Sequence, residues 1–310
     1  MPDRKTHLDL LAMAILLVLC ASWGLQQVAV KLAGVGVSPF FQAGIRSLGA
    51  TLLLLVWMWL RQIPMLQRDG SAGWGVLAGL LFGGEFLLIF WGLEFTNASR
   101  AVIFLYLSPF VVAIGAHYFV EGERLRWLQV IGLTGAFAGI LLAFGESFTF
   151  PSREMLIGDS MLVVAAILWG STTVVIKASV LRSLAPSKVL LYQLGVSAIL
   201  LLGAAWAVDE PGITRLTPVI IGSLLFQAVW VAFVTYLAWF WLVRHYPAGR
   251  LSAFTFLTPL FGVLAGHWIL DEPLSLVLLA ALLFVGLGIY LVNRPEPGST
   301  ELPAGVQEKL

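Results

Sequence analysis

Two charges stand where an apolar chain tolerates them least. Arg46 lies about eight residues into one long apolar run, and Glu85 sits near the middle of the next. A charge at that depth in a membrane is costly and faces a cavity or a partner. Glu85 could exchange protons or grip a substrate ammonium, and Arg46 could grip a carboxylate. The competing reading is an ion pair between the two. Their counterparts in the second half of the chain, Gln193 and Thr235, are neutral, so internal symmetry does not demand the charges. A second set of candidates is written twice. Trp23 to Lys31 reads WGLQQVAVK, and Trp169 to Lys177 reads WGSTTVVIK, at an offset of 146. Tryptophan, then Gln27 or Thr173, then lysine recur at i, i+4 and i+8, which is one stripe of a helix. Such a stripe can line a central cavity with Lys31 and Lys177 at its two entrances; the plainer alternative is that the lysines snorkel to headgroups. Gln42, Tyr106, Tyr192, Gln227 and Tyr236 are further cavity candidates, each also satisfiable by a neighbouring helix.

Enzyme chemistry is poorly provided for. His117 with Glu121, and His267 with Asp271, have the i, i+4 spacing of a metal-binding pair. They close runs expected to end on opposite membrane faces, so they read as helix-end contacts, and no metal or cofactor is expected. There is no H-E-x-x-H, no G-x-S-x-G and no Walker loop. The one cysteine, Cys20, excludes an intrachain disulfide framework and reads as a buried structural thiol. A net charge of +1 argues against a nucleic-acid partner. Asp159, after Gly158, reads as a helix-start residue.

The elements that must position these residues follow from composition. The chain is 59% hydrophobic and 11% charged, with a mean hydropathy of +0.94, against about 25% charged for a soluble domain. Its solvent is therefore lipid. Apolar segments able to span about 30 Å fall at 9–30, 39–60, 71–93, 98–119, 127–146, 158–178, 187–208, 217–242, 247–270 and 274–292. The first is too long for a signal peptide and lacks an A-x-A site. Of the twelve tryptophans, Trp23, Trp169 and Trp230 fall near mid-span, where a buried indole N–H needs an acceptor or a cavity; the others lie near span ends, as interfacial anchors do. Ala98–Glu121 returns as Ala248–Asp271 at an offset of 150, with Arg100, Pro109 and His117 falling on Arg250, Pro259 and His267. That is an internal duplication. Pro109 and Pro259 each remove a backbone hydrogen bond, so they are expected to kink spans four and nine, free carbonyls near Leu105 and Thr255, and act either as hinges for gating or as static packing kinks.

Orientation follows from lysine and arginine bias. With the N-terminus cytoplasmic, Arg4, Lys5, Arg61, Arg68, Arg124, Arg126, Lys177, Arg182, Lys188, Arg244, Arg250, Arg294 and Lys309 share the cytoplasmic side, against Lys31, Arg100, Arg153 and Arg215 opposite. The expected fold is all-α and integral to the membrane, with ten transmembrane helices and both termini cytoplasmic. Five spans per repeat is an odd number, so the two repeats are inverted, the arrangement of alternating-access transporters. The expected units are a cytoplasmic tail (1–8), a first repeat (9–146), a connecting loop (147–157), a second repeat (158–292) and a disordered cytoplasmic tail (293–310).

The W-G starts at Trp23 and Trp169, the A-x-R…P runs to Pro109 and Pro259, the acidic turns after them (Glu121-Gly-Glu-Arg-Leu and Asp271-Glu-Pro-Leu) and the glycine-bearing closing helices (Gly132, Gly135, Gly139; Gly286, Gly288) are carried in the same order twice. In these features, over about residues 10–293, the chain resembles the drug/metabolite transporter superfamily with two EamA-type repeats. The resemblance implies a central cavity lined chiefly by spans one to four and six to nine, and export of small metabolites. Amino-acid exporters are bacterial members of the superfamily, and sugar-nucleotide and triose-phosphate carriers are more distant ones. No residue signature selects one substrate branch, and fold analogy cannot choose it. The expectation is a secondary transporter of a bacterial inner membrane, exporting amino acids or related compounds. Its expected partners are the substrate, the bilayer and a coupling proton, and its expected state is a monomer or weak homodimer. A membrane-embedded enzyme or sensor on the same scaffold, and a passive facilitator, are the alternatives.

Overall fold

The computed structural model describes residues 7–64, 69–145, 150–271 and 276–294. Arg4, Lys5, Arg68, Glu272, Pro273, Lys309 and most of both expected tails lie outside them. Among the described residues the chain is helical, apart from one isolated antiparallel bridge between Val37 and Ile213. Helices α1 (Leu10–Gly34), α2 (Pro39–Leu60) and α3 (Ser71–Gly92) are followed by α4 (Ala98–Leu105), α5 (Ser108–Phe119) and α6 (Trp127–Phe144). Then come α7 (Arg153–Ala178), α8 (Pro186–Ala207), α9 (Pro218–Leu225), a π-helical segment (Phe226–Thr235) and α10 (Tyr236–His245). The chain closes with α11 (Ala248–Phe254), α12 (Leu257–Leu270) and α13 (Val277–Asn293). Among the described residues nine runs are long and apolar enough to cross a membrane, counting Arg100–Phe119, Pro218–His245 and Ala248–Leu270 as single runs. The tenth apolar helix, α13, has 17 residues, or roughly 25 Å of rise.

Local sequence explains the starts. Asp9, Asn97 and Ser152 cap α1, α4 and α7 through their side chains, and Pro39, Pro186 and Pro218 open α2, α8 and α9, where a missing N–H costs nothing. The Ser152 cap starts α7 at Arg153, five residues before the run expected from position 158. Asp159 is therefore not a helix-start residue but lies inside α7, buried.

The proline runs are broken rather than kinked. Leu107 N–H bonds the Phe104 carbonyl at 3.1 Å, and the chain restarts with Phe110 N–H on the Leu107 carbonyl at 3.0 Å. In the second copy Thr258 N–H takes the Thr255 carbonyl at 2.9 Å, so Thr255 is not left short. One residue earlier, the Phe254 carbonyl accepts from Cys20 Sγ at 3.2 Å. The buried thiol thus serves the break in the other half of the chain.

Packing pairs α6 with α13, α2 with α8, α3 with both α7 and α8, α1 with α12 and α5 with α7, while the π segment lies against α1 and α2. The W-G dipeptides explain two of these crossings. A Cβ on Gly24 would stand 2.6 Å from the backbone nitrogen of Gly262 on α12, and one on Gly170 would stand 2.6 Å from Val111 Cβ on α5. Each glycine lets its helix approach the broken helix of the other half.

Ties at the helix ends hold the bundle. Glu210 accepts from Ser38 Oγ (2.7 Å) and from the N–H groups of Phe40 (3.0 Å) and Phe41 (2.9 Å), satisfying donors that the first turn of α2 leaves over. Elsewhere Lys188 Nζ meets Asp69 Oδ2 at 2.6 Å and Tyr192 OH lies 2.9 Å from Ser71 Oγ. Lys188 and Ser71 together hold the Asp69 carboxyl well below the usual carboxylate range.

Candidate functional site

Arg46 on α2 and Glu85 on α3 are 3% and 5% exposed. The Arg46 guanidinium lies over the Phe86 ring, 4.4 Å from its centroid. No ion pair closes between Arg46 and Glu85; Nε and Nη2 of Arg46 and Oε2 of Glu85 are buried without a hydrogen-bond partner. The alternative of a structural pair is therefore not what the geometry contains. Phe86 packs edge-on against Phe82, 5.1 Å between ring centroids, and Phe82 leads on to Tyr236 of α10. Tyr236 in turn packs edge-on against Phe82 (5.9 Å) and Trp23 (6.2 Å), and Trp23 against Trp239 (5.5 Å). Two of the three mid-span indoles find acceptors: Trp23 Nε1 donates to Thr235 Oγ1 and Trp230 Nε1 to Ser22 Oγ, each at 2.9 Å. Thr235, Trp230 and Gln227 all belong to the π segment, a winding frequent at functional sites. Uncommitted guanidinium donors and a carboxylate acceptor, inside a wall of rings, are suited to a small solute bearing both an anionic and a cationic group.

The structure links Arg46, Tyr236 and Trp23 in one cluster through Phe86 and Phe82, adds Thr235 and Trp239 to it, and carries Glu85 beside Phe86 in the chain; the sequence does not single out Phe82, Phe86, Thr235 or Trp239 for it. Trp169 and Tyr106 form a second cluster, 6.0 Å between ring centroids, with Phe256 5.9 Å from Tyr106. No ring contact joins the two among the described residues. Gln42 and Gln227 bond each other (3.1 Å) and the carbonyls of Val30 and Ala29 (3.4 Å each), so they strut α1, α2 and the π segment together. Gln27 and Lys31 are exposed, whereas Thr173 and Lys177 are buried. Lys177 Nζ pairs with Glu123 Oε1 at 2.5 Å and donates to the Tyr246 carbonyl. His117 Nδ1 accepts from Leu125 N–H at 3.2 Å, and no group of three or more metal-ligating side chains occurs among the described residues.

Two further charges lie deep. Arg100 and Asp159 form a buried bidentate pair, to which Thr96 Oγ1 adds a bond at 2.9 Å. A groove of about 460 Å³ between α3 and α7, lined by Leu88, Leu156, Met161 and Val164 with Arg153, includes neither Arg46 nor Glu85.

A helical bundle of membrane-length segments with charges buried at its centre is a multi-pass membrane protein. Its family follows from the sequence matches: residues 10–145 and 156–294 both match the EamA-like transporter family, and the chain belongs to it. Relatives include the transporter YvbV of Bacillus subtilis (strain 168), 28% identical over 310 residues, covering 98% of this chain and 97% of the relative. Another is a protein of Escherichia coli (strain K12) named as a probable amino-acid metabolite efflux pump, 23% identical over 286 residues, covering 89% and 92%. A protein of known crystal structure superposes with a TM-score of 0.76 at 16% identity, covering 90% of this chain and 94% of the other, a likeness of fold. Family and bacterial relatives fit a multi-pass protein of the inner membrane.

Proposed function

We propose that this protein is a secondary transporter that exports amino acids or related small metabolites by alternating access, with Arg46 and Glu85 gripping the solute's carboxylate and ammonium. The observation that carries this reading is the pair of opposite charges, both buried, whose hydrogen-bonding atoms are not spent on each other. The printed name of the Escherichia coli relative supports the substrate class. Two related halves are supported by the packing, since exchanging them turns the α1–α12 contact into the α7–α5 contact and the α3–α8 contact into the α2–π contact; five spans in each half would make the repeats inverted. With the N-terminus cytoplasmic, Lys177 lies at the cytoplasmic mouth and Lys31 at the outer one. Glu85, desolvated and uncommitted, is also the group suited to couple export to protons, while Trp23, Trp169, Gln27, Thr173, Tyr106 and Tyr236 line the route and the breaks before Pro109 and Pro259 let it rock.

Purified protein in proteoliposomes tests both parts. A thermal-shift screen against amino acids, sugars and nucleotides should select zwitterionic amino acids. Arg46→Met should weaken that binding by about 1.5–3 kcal/mol, the worth of hydrogen bonds to charged groups. Glu85→Gln should weaken binding of the ammonium-bearing solute and lose any dependence of the remaining transport on a pH gradient. Gradient dependence unchanged in Glu85→Gln would remove the proton role, and selection of sugars or nucleotides would remove the substrate class.

A further inference from the structure

Lys177 and Lys31 end equivalent stripes, yet they live in different surroundings. Lys177 is 2% exposed and Thr173, one turn above it, 6%, whereas Gln27 and Lys31 at the matching positions are exposed. The burial of Lys177 has a visible cause. Glu123, in the connection between α5 and α6, reaches Lys177 Nζ with Oε1 (2.5 Å) and accepts the N–H of Ala248, the first residue of α11, with Oε2 (2.7 Å). Lys177 also donates to the Tyr246 carbonyl, and Tyr246 OH donates to Asp9 Oδ2 at the start of α1 (2.9 Å). One carboxylate therefore gathers the end of α7, the start of α11 and, through Tyr246, the start of α1. The side chains of Lys177 and Glu123 are 3% and 8% exposed.

We infer that Glu123 is the latch of a gate: its clasp on Lys177 and Ala248 holds the bundle closed at the Lys177 end. The inference rests on the alternating-access reading above, but it concerns the gate and not the solute. A buried pair of this kind is lost as a unit when one partner is neutralised. Neutralising Glu123 therefore moves population toward the state open at the Lys177 end, by as much as the latch favours the closed one. Lys177 thereby acquires a role as the latch's cation, distinct from a freely snorkelling lysine.

The test is labelling of Thr173→Cys by a membrane-impermeant maleimide in sealed vesicles of both orientations, in a Cys20→Ser background. With Glu123 present, labelling from the Lys177 face should be slow. Glu123→Gln should raise it by about tenfold or more from that face alone, and should slow labelling of Gln27→Cys from the opposite face. Charge reversal, Lys177→Glu with Glu123→Lys, should leave labelling fast, because it sets a donor against the Ala248 N–H and an acceptor against the Tyr246 carbonyl. Should Glu123→Gln fail to fold, Glu123→Asp, too short to hold both partners, should give an intermediate rate. Unchanged labelling in either variant, or a rise from both faces equally, would overturn the latch. Labelling needs no substrate, so absence of amino-acid counterflow with the labelling pattern intact would reject the substrate reading and leave the latch standing.

Discussion

Arg100 and Asp159 differ from Arg46 and Glu85 in one respect that decides their roles. Each finds its complement within the chain, and Thr96 completes the set. Such a pair is framework, and its value is asymmetric: removing one partner leaves a buried charge, while replacing both with apolar chains costs little. Asp159→Ala should destabilise the protein by about 3–5 kcal/mol, whereas Arg100→Met with Asp159→Leu should lie near the wild type, as read by thermal unfolding in detergent. The pair was within reach of the sequence, since Pro151-Ser152 is a helix-start signal that puts Asp159 two turns inside α7. Arg46, Glu85 and Trp23 were legible because a polar group in lipid must be accounted for. Phe82, Phe86 and Trp239 were not, because an aromatic ring in an apolar run gives no sign of which rings it will meet.

Among the elements, spacing and composition were informative about where helices run and poor about how they are wound. Apolar stretches marked nearly every segment, since length against bilayer thickness is a local property. The π winding at Phe226–Thr235 carries no local signature; it is sustained by partners on α1 and, through Gln42, on α2, which the sequence of α9–α10 alone cannot reveal. The breaks before Pro109 and Pro259 were half legible: proline removes a donor, but whether the helix bends or restarts depends on who satisfies the carbonyls, and Cys20 is more than two hundred residues from Phe254. The glycine crossings permit a direct test. Gly24→Ala should cost about 1–3 kcal/mol, because the new methyl meets backbone on α12. Gly34→Ala, where nothing lies within 4 Å, should not lower stability. The two midpoints, compared in one detergent, decide the matter.

For the whole molecule, end ties between the halves make stability respond to acid. Asp69 has its carboxyl pKa lowered by Lys188 and Ser71, so its contribution is fully present above the ordinary carboxylate value of about 4 and is lost as pH falls through that value toward the lowered one. Thermal midpoints measured from pH 7 downward should fall more steeply for the wild type than for Asp69→Asn below about pH 4; parallel curves would show that the tie contributes nothing. The pairing of α6 with α13 carries a consequence of another kind, in time. Gly132 and Gly288 meet backbone to backbone across this pair, yet 277 − 144 = 133 positions separate the end of α6 from the start of α13. At about 5–20 residues per second of synthesis, α6 waits roughly 7–27 s in the bilayer before its main partner emerges. Its glycine face must be shielded meanwhile by lipid or by the insertion machinery, and a nascent chain halted before α13 would expose that face to quality control.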